Sequence, residues 1–427
     1  MNLKDYKQVV LPNGLTVVTA PMPAVRSVSI GLYLRVGSRY EAARFSGISH
    51  FLEHMLFKGC EGWPSALDIA NEVEGRGGYL NASTGYEYTS MWVKNGARHW
   101  QRSLSLLASM VQRPIFDVDE FEREQTVILD EINMYRDVPE DYVSQLSSEA
   151  MWGDHPLGRE IAGETETVAA LTMADLAAHH AAAYRPNRAV LTVAGAIDAE
   201  AVYRAAAEAF VGWTADGPIP AFAPAPILEA RPRWRLQVRD SEQSHLQLAV
   251  PGLPRLHPDR VALAVLNALA GDGMSSWLWQ RLREQLGLAY NIGSYTSLHA
   301  DCGVLGVYGG CDATRLFETL DETMAVWQEL QAQAVAEEKL QLFKEYIKGR
   351  LELSSEDSSA VASWWGRQII ADMPLQSLDQ VLANVDAVTP GDVQRLAQEL
   401  WQPQRLTLAY VGPLADEAAL TDWLRVP

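Results

Sequence analysis

A short segment near the N-terminus carries apolar side chains on one helical face and polar chemistry on the other. Residues 46–59 read Ser-Gly-Ile-Ser-His-Phe-Leu-Glu-His-Met-Leu-Phe-Lys-Gly. At 100° per residue, five apolar side chains form one stripe, namely Ile48, Phe51, Leu52, Met55 and Leu56. His50, Glu53 and His54 fall together on roughly the opposite side. We therefore predict one short helix here, capped by its first serine and ended by its last glycine.

The remaining apolar pattern predicts strands and helices in both halves of the chain. Residues 9–20 alternate around Pro12-Asn13-Gly14, which is typical of two short strands joined by a turn. Further strands are predicted at 27–36, 79–94, 235–238, 244–250 and 289–308, and helices at 66–75, 98–134, 143–151, 175–184, 199–210, 260–270 and 276–285. This mixture predicts an α+β fold.

The two halves share a repeated helix–proline–strand unit. Five pairs of identical residues lie 217 positions apart, namely Thr172/Thr389, Asp175/Asp392, Pro186/Pro403, Arg188/Arg405 and Gly195/Gly412. Each Thr-x-x-Asp can open a helix as a capping box. Between the repeats, residues 214–232 contain five prolines and no regular period, as an extended linker does. We predict two homologous domains, 1–213 and 233–427, each an antiparallel-rich sheet packed with helices.

Composition narrows the class of protein. The chain of 427 residues has a net charge of −19, which argues against broad nucleic-acid binding and favours neutral or basic partners. Its three cysteines do not make a disulfide framework. No apolar run reaches the roughly 18 residues needed to span a bilayer, and the N-terminus lacks a hydrophobic signal core. We expect a cytoplasmic protein without a membrane span.

The polar face of the first predicted helix has the spacing of a metal site. His50 and His54 lie one turn apart and can both reach one ion, at about 2.0–2.1 Å for Zn–N. Glu53 stands between them in the order His-x-x-Glu-His, the inverse of the His-Glu-x-x-His peptidase motif. A carboxylate so close to a metal can take a proton from the water that the metal activates. We therefore predict Glu53 as the general base.

A catalytic zinc ion needs a third protein ligand and an open position for water. On the helix predicted over 120–135, Glu120, Glu124 and Glu131 share a face with apolar neighbours. A solvated face or an ion pair with a nearby arginine would explain these glutamates if the helix stood alone. Beside the two histidines, we predict Glu131 as the third ligand of one Zn²⁺ per chain. Glu124 would orient a ligand or balance charge. Manganese or cobalt also suits two histidines and a glutamate.

These motifs resemble the pitrilysin and mitochondrial processing peptidase family of inverzincin metallopeptidases, over nearly the whole chain. The similarity includes His50-Phe-Leu-Glu-His-Met-Leu-Phe-Lys-Gly59 and the Glu124 and Glu131 pair. It also includes Gly-Gly-Tyr-Leu-Asn-Ala-Ser-Thr at 77–84 and His-Pro-Leu-Gly at 155–158. The resemblance implies a zinc endopeptidase that hydrolyses peptide bonds.

The resemblance also implies substrate-binding residues in both halves. Asn81 and Ala82 match a strand whose edge takes up an extended peptide by β-augmentation. An ordinary strand after a Gly-Gly turn would explain them if they stood alone. In the second half, residues 273–290 resemble the family's Arg/Tyr element, in which Arg283 and Tyr290 would contact the substrate backbone or support the tetrahedral intermediate. A helix-end arginine and a core tyrosine are the alternative explanation.

Partners follow from the same resemblance. In such enzymes two half-units close over a chamber, which implies a homodimer, or a heterodimer with a similar subunit, acting on short or unfolded peptides. The acidic charge would suit basic peptides. Three alternatives stay open: the catalytic subunit of a heterodimer that processes precursor or leader peptides, a non-catalytic structural subunit, and a metal-binding module that captures peptides without cleaving them. The presence of His50, Glu53, His54 and Glu131 argues against the structural subunit.

Overall fold

Two β-sheets organise the chain. The computed structural model describes residues 6–214, 221–413 and 417–425. Within these residues one sheet has the strand order β1-β2-β6-β3-β5-β4 and the other the order β7-β11-β8-β10-β9. The strands are β1 (Lys7–Val10), β2 (Thr16–Pro21), β3 (Ser27–Leu34), β4 (Tyr79–Thr84), β5 (Thr89–Gly96), β6 (Ala189–Gly195), β7 (Arg233–Val238), β8 (Gln243–Gly252), β9 (Ala289–Leu298), β10 (Gly303–Asp312) and β11 (Thr407–Gly412).

Helices pack on the faces of both sheets. They are α1 (Ile48–Leu56), α2 (Ala66–Val73), α3 (Trp100–Gln112), α4 (Val118–Asp137), α5 (Pro139–Trp152), α6 (Thr165–Ala170), α7 (Met173–Ala183), α8 (Ala199–Ala209), α9 (Arg260–Gly271), α10 (Leu316–Ala332), α11 (Glu337–Ser354), α12 (Ser358–Ile370), α13 (Leu378–Asp386), α14 (Pro390–Leu400) and α15 (Glu417–Arg425). A π-helix spans Trp279–Gln285. This architecture confirms the predicted α+β fold.

The two sheets repeat one topology. In the first sheet β2 runs parallel to β6, and in the second β7 runs parallel to β11, whereas the other described neighbours are antiparallel. By this correspondence the edge strand β9 is the counterpart of the edge strand β4. The capping boxes predicted for the repeat are both present, with Thr172 and Asp175 opening α7 and Thr389 and Asp392 opening α14.

Each sheet belongs to a compact unit that includes a helix from the other half of the chain. The first unit comprises the described residues within Met1–Ile132, Glu160–Ala223 and Leu351–Asp379, and so contains α12. The second comprises those within Asn133–Arg159, Pro224–Arg350 and Gln380–Pro427, and so contains α5. The domain limits expected from the sequence, 1–213 and 233–427, stay a prediction. Of the expected linker 214–232, residues 215–220 lie outside the described residues.

Strand β3 is covered by helices on both of its faces. Val28, Ile30 and Leu32 lie in the apolar core that includes residues of α3 and α8. On the opposite face of the strand, the Ser29 hydroxyl lies 2.8 Å from the hydroxyl of Ser358 on α12. Because both faces are covered, β3 is almost entirely buried. The alternation along β3 therefore separates two buried faces, and Tyr33 on the second face packs in an apolar cluster with Val361 and Trp365 of α12.

Two segments differ from the helices that the sequence predicts. The helical pattern over 98–134 is interrupted, since α3 ends at Gln112 and α4 begins at Val118. Pro114 lies in this break, where its ring and missing N–H are incompatible with a continuous helix. The helix predicted over 276–285 is largely the π-helix. Among the described residues, no helix combines the length and apolar character that crossing a membrane requires.

Candidate metal centre

Helix α1 is held at its N-terminus by a carboxylate rather than by the predicted serine cap. The Glu41 side chain accepts hydrogen bonds from the backbone N–H groups of Gly47, at 2.9 Å, and Ser49, at 2.8 Å. Gly47 is the N-cap residue in the left-handed conformation, with φ +95°, which glycine adopts at little cost. Ser46 instead offers its carbonyl to the Thr167 hydroxyl at 2.9 Å. The predicted Ser46 cap is therefore wrong.

The apolar stripe of α1 packs as the sequence predicts. Its five members are at most 2% exposed. Phe51 stacks on Phe121 of α4, with ring centroids 4.8 Å apart and planes 15° apart. This stack is part of an apolar cluster in which Ile48 and Met55 of α1 also lie with residues of α4.

His50, His54 and Glu131 converge on one point. The nearest oxygen of Glu131, Oε2, lies 3.8 Å from Nε2 of His50 and 3.6 Å from Nε2 of His54. One ligand atom from each of the three residues lies within 4.8 Å of the others. A tetrahedral ion about 2.1 Å from each ligand separates neighbouring ligands by roughly 3.4 Å. The three side chains therefore fit one divalent ion, and no second group of this kind occurs among the described residues.

His50 is in the protonation state that a metal requires. Burial, with a smaller contribution from His54, lowers the pKa of His50 to about 4. At neutral pH its imidazole is therefore uncharged, and a neutral imidazole is the metal-binding form. Its Nδ1 is buried and has no hydrogen-bond partner within the described part of the chain.

Glu124 orients the second histidine. Its Oε2 lies 3.0 Å from Nδ1 of His54, and its Oε1 lies 2.5 Å from the Lys58 ammonium. Burial works against ionisation of Glu124, but the hydrogen bonds from His54 and Lys58 outweigh it and lower the pKa of this carboxyl. An ionised carboxylate only accepts hydrogen bonds. Nδ1 of His54 must therefore carry the proton, which leaves Nε2 free on the side of Glu131.

Glu53 lies beside the three converging residues and is held by a strand. Its Oε2 accepts a hydrogen bond from the Thr84 hydroxyl at 2.5 Å. Burial raises the pKa of Glu53, although the bond from Thr84 opposes the shift. A carboxylate with a raised pKa is a better proton acceptor near neutral pH than an exposed glutamate.

Asn81 and Ala82 lie on β4, the edge of the first sheet. This strand pairs with β5 through Tyr79–Thr84, and no other described strand pairs with it. Asn81 is exposed, and its side-chain oxygen accepts from the backbone N–H of Ala82 at 2.8 Å. The outer edge of β4 thus offers backbone groups to an added strand.

Arg283 and Tyr290 contact each other in the second unit. Arg283 belongs to the π-helix and donates from Nη1 to the carbonyl of Tyr290 at 2.8 Å. Its guanidinium lies 4.0 Å from the ring centroid of Trp279 and 4.7 Å from that of Tyr290. Tyr290 is 76% exposed, so it is not the core tyrosine of the alternative explanation. The substrate contacts of this pair stay a prediction.

Three residues near the site have no role assigned from the sequence. Thr84 contacts Glu53, and Lys58 contacts Glu124. The third residue is Tyr184, whose pKa is raised by burial and, to a smaller extent, by the charge of Glu53. For Thr84 a signal exists, because alternation along β4 places it on the same face as the buried Ala82. Tyr184 is distant in sequence and follows α7, so no spacing rule identifies it.

Comparison with known proteins identifies the family of both halves of the chain. Residues 16–165 match the family described as Insulinase (Peptidase family M16), and residues 170–346 match the Peptidase M16 inactive domain. An uncharacterized zinc protease of Bacillus subtilis is 36% identical over 414 residues, covering 95% of this chain and 98% of that protein. One of Streptomyces coelicolor is 34% identical over 418 residues, covering 97% and 91%.

Solved structures share the whole fold. A protease from Helicobacter pylori superposes with a TM-score of 0.90 at 25% identity, covering 96% of this chain and 99% of that one. A structure described as the peptidase M16 inactive domain from Pseudomonas fluorescens gives a TM-score of 0.89 at 20% identity, with the same coverage. The second of these likenesses concerns the fold alone.

Proposed function

The chain belongs to the M16 peptidase family, and on that premise we propose that it is a zinc-dependent endopeptidase. It would hydrolyse peptide bonds in short or unfolded peptides and hold one ion per chain. The convergence of His50, His54 and Glu131, with Glu53 beside them, carries this proposal. A non-catalytic subunit would have no need of this complete set.

Each residue has a role in this proposal. Bound zinc supplies Lewis acidity that activates water and polarises a carbonyl. His50, His54 and Glu131 hold the ion, and Glu124 holds the ring of His54 in the required tautomer. Glu53 takes the proton of the attacking water and returns it to the leaving amine.

The peptide would bind as an added strand on β4, at the backbone of Asn81 and Ala82. Arg283 and Tyr290 would contact the substrate from the second unit, and a second copy or a similar subunit would complete a chamber. Basic peptides are the expected substrates because the chain carries a net charge of −19. Cleavage of matched basic and acidic peptides at low and high salt tests this preference.

The central test joins metal content to cleavage. Wild type, Glu53→Gln and Glu131→Gln would be measured for bound zinc and for cleavage of a quenched basic peptide. We expect wild type and Glu53→Gln to hold one zinc ion per chain. Glu53→Gln should lose cleavage by about 10²–10⁴-fold, and Glu131→Gln should lose zinc and activity together.

Glu122→Gln is the matched control, because Glu122 is exposed on the same helix as Glu131. It should keep both zinc and activity. If wild type binds zinc and cleaves none of a broad peptide set, the enzyme assignment is wrong and peptide capture without turnover becomes the better explanation.

A further inference from the structure

Thr84 links the edge strand β4 to Glu53, the proposed general base, through a hydrogen bond. It is the last residue of β4, and its hydroxyl donates to Oε2 of Glu53 at 2.5 Å. Glu53 stands on α1, a different element, so this bond crosses from the sheet to the helix. The backbone of Thr84 also hydrogen-bonds this carboxylate and, like the hydroxyl, opposes the rise in the pKa of Glu53.

The Thr84 hydroxyl is held in place by its strand. Thr84 pairs with Thr89 of β5, which is fully buried and donates from its own hydroxyl to the carbonyl of Val36 at 3.0 Å. Threonine is β-branched, so few rotamers of its side chain are open to it. The hydroxyl therefore has a defined direction before any ligand binds.

Glu53 needs such a restraint. A glutamate side chain has several rotatable bonds, and burial alone does not select one orientation of its carboxylate. The bond from the Thr84 hydroxyl to Oε2 selects one orientation of the carboxylate. A donated hydrogen bond also stabilises the ionised carboxylate that a base must be.

From these contacts we infer that Thr84 is a positioning residue for Glu53, and that β4 serves both the peptide and the base. The inference rests on the proposed peptidase function. A peptide added to the edge of β4 would bind to the same strand that fixes Glu53. Substrate alignment and base alignment would then share one rigid element, so small errors in their relative position would be suppressed.

Two substitutions of Thr84 separate the hydroxyl from the shape of the side chain. Thr84→Val keeps the β-branched shape and removes the donor, whereas Thr84→Ser keeps the donor. We expect Thr84→Val to lower kcat by about 10- to 100-fold, a part of what a general base contributes, with KM within about threefold. Thr84→Ser should stay within about threefold of wild type, and zinc content should not change in either variant.

Ser83→Ala is the matched control. Ser83 precedes Thr84 on β4, is exposed, and points to the opposite face of the sheet because side chains alternate along a strand. Its removal should not reproduce the loss of kcat expected for Thr84→Val.

A spectroscopic measurement on zinc-free protein adds a readout independent of activity. The carboxylate stretch of Glu53 can be identified by difference infrared spectroscopy against Glu53→Gln. This band should shift in Thr84→Val and not in Thr84→Ser.

The possible outcomes distinguish failure of the Thr84 role from failure of the proposed function. If Thr84→Val retains wild-type kcat, or if Thr84→Ser is impaired as strongly as Thr84→Val, the positioning role is wrong. If wild type itself cleaves no peptide, the proposed function fails. The infrared band then still decides whether Thr84 holds the Glu53 carboxylate.

Discussion

The Glu124 carboxylate lies 3.0 Å from Nδ1 of His54, on the side of the ring away from Glu131. This contact fixes the ring orientation and raises the basicity of the nitrogen that faces the ion. We predict that Glu124→Gln weakens zinc binding by about 10- to 100-fold. Competition with a chelator of known affinity measures the change. The exposed Glu122→Gln should bind zinc as wild type does, and equal affinities for all three proteins would contradict the role of Glu124.

A second prediction concerns the contribution of the N-terminus of α1 to stability. Because Glu41 accepts from two backbone N–H groups there, Glu41→Ala should lower the free energy of unfolding by about 1–2 kcal/mol. Ser46→Ala should cost less than Glu41→Ala, since the described contact of Ser46 is made by its carbonyl. Urea unfolding of the zinc-free proteins compares the two. A larger loss for Ser46→Ala would restore the serine as the cap.

Glu72 predicts a pH dependence of stability. Its carboxylate accepts two hydrogen bonds of 2.6 Å from Arg102, two from Arg76 at 2.9 and 3.5 Å, and one from the Trp63 indole N–H at 3.2 Å. These contacts, led by Arg102, lower the pKa of Glu72 to about 2. A depressed pKa contributes stability above the unfolded pKa, and that stability is lost as the pH falls from about 5 toward 2. Glu72→Gln should therefore cost about 1–2 kcal/mol at pH 7, allowing for screening of the half-exposed Arg102.

Urea unfolding of wild type and Glu72→Gln at several pH values measures this difference. The gap between the two proteins should narrow steadily between pH 5 and pH 3. Glu74 lies two residues after Glu72 and is exposed, so Glu74→Gln should cost little stability at any pH. A gap that stays constant with pH would mean that Glu72 acts through packing rather than charge.

Replacing tyrosine by phenylalanine should affect thermal stability in opposite ways at Tyr184 and Tyr203. The Tyr184 hydroxyl is buried and has no hydrogen-bond partner in the described chain, whereas that of Tyr203 lies 2.9 Å from the Thr19 hydroxyl. Removing an unsatisfied buried group is neutral or stabilising, and removing one partner of a buried pair is costly. Tyr184→Phe should therefore keep or raise the thermal midpoint, and Tyr203→Phe should lower it by a few degrees. A loss of stability in Tyr184→Phe would reveal a partner for its hydroxyl.

The spacing of residues along the chain was enough to define one half of the site. Ile48, Phe51 and Leu52 recur at helical spacing, so they had to form one face, and His50 and His54 had to lie together on the other. The repeat of Thr-x-x-Asp likewise marked two helix starts, because a capping box is a local interaction between residues three positions apart. Such features depend only on neighbours in the chain.

Tertiary structure decided which distant groups meet these residues. Three glutamates of α4 share a face, and spacing alone does not say how that helix lies against α1. The packing of α1 on α4, which includes the stack of Phe51 on Phe121, places Glu131 near the two histidines and Glu124 near Nδ1 of His54. The cap from Glu41 and the bond from Thr84 to Glu53 are also contacts between separate elements. They depend on packing in three dimensions, which no periodicity along the chain records.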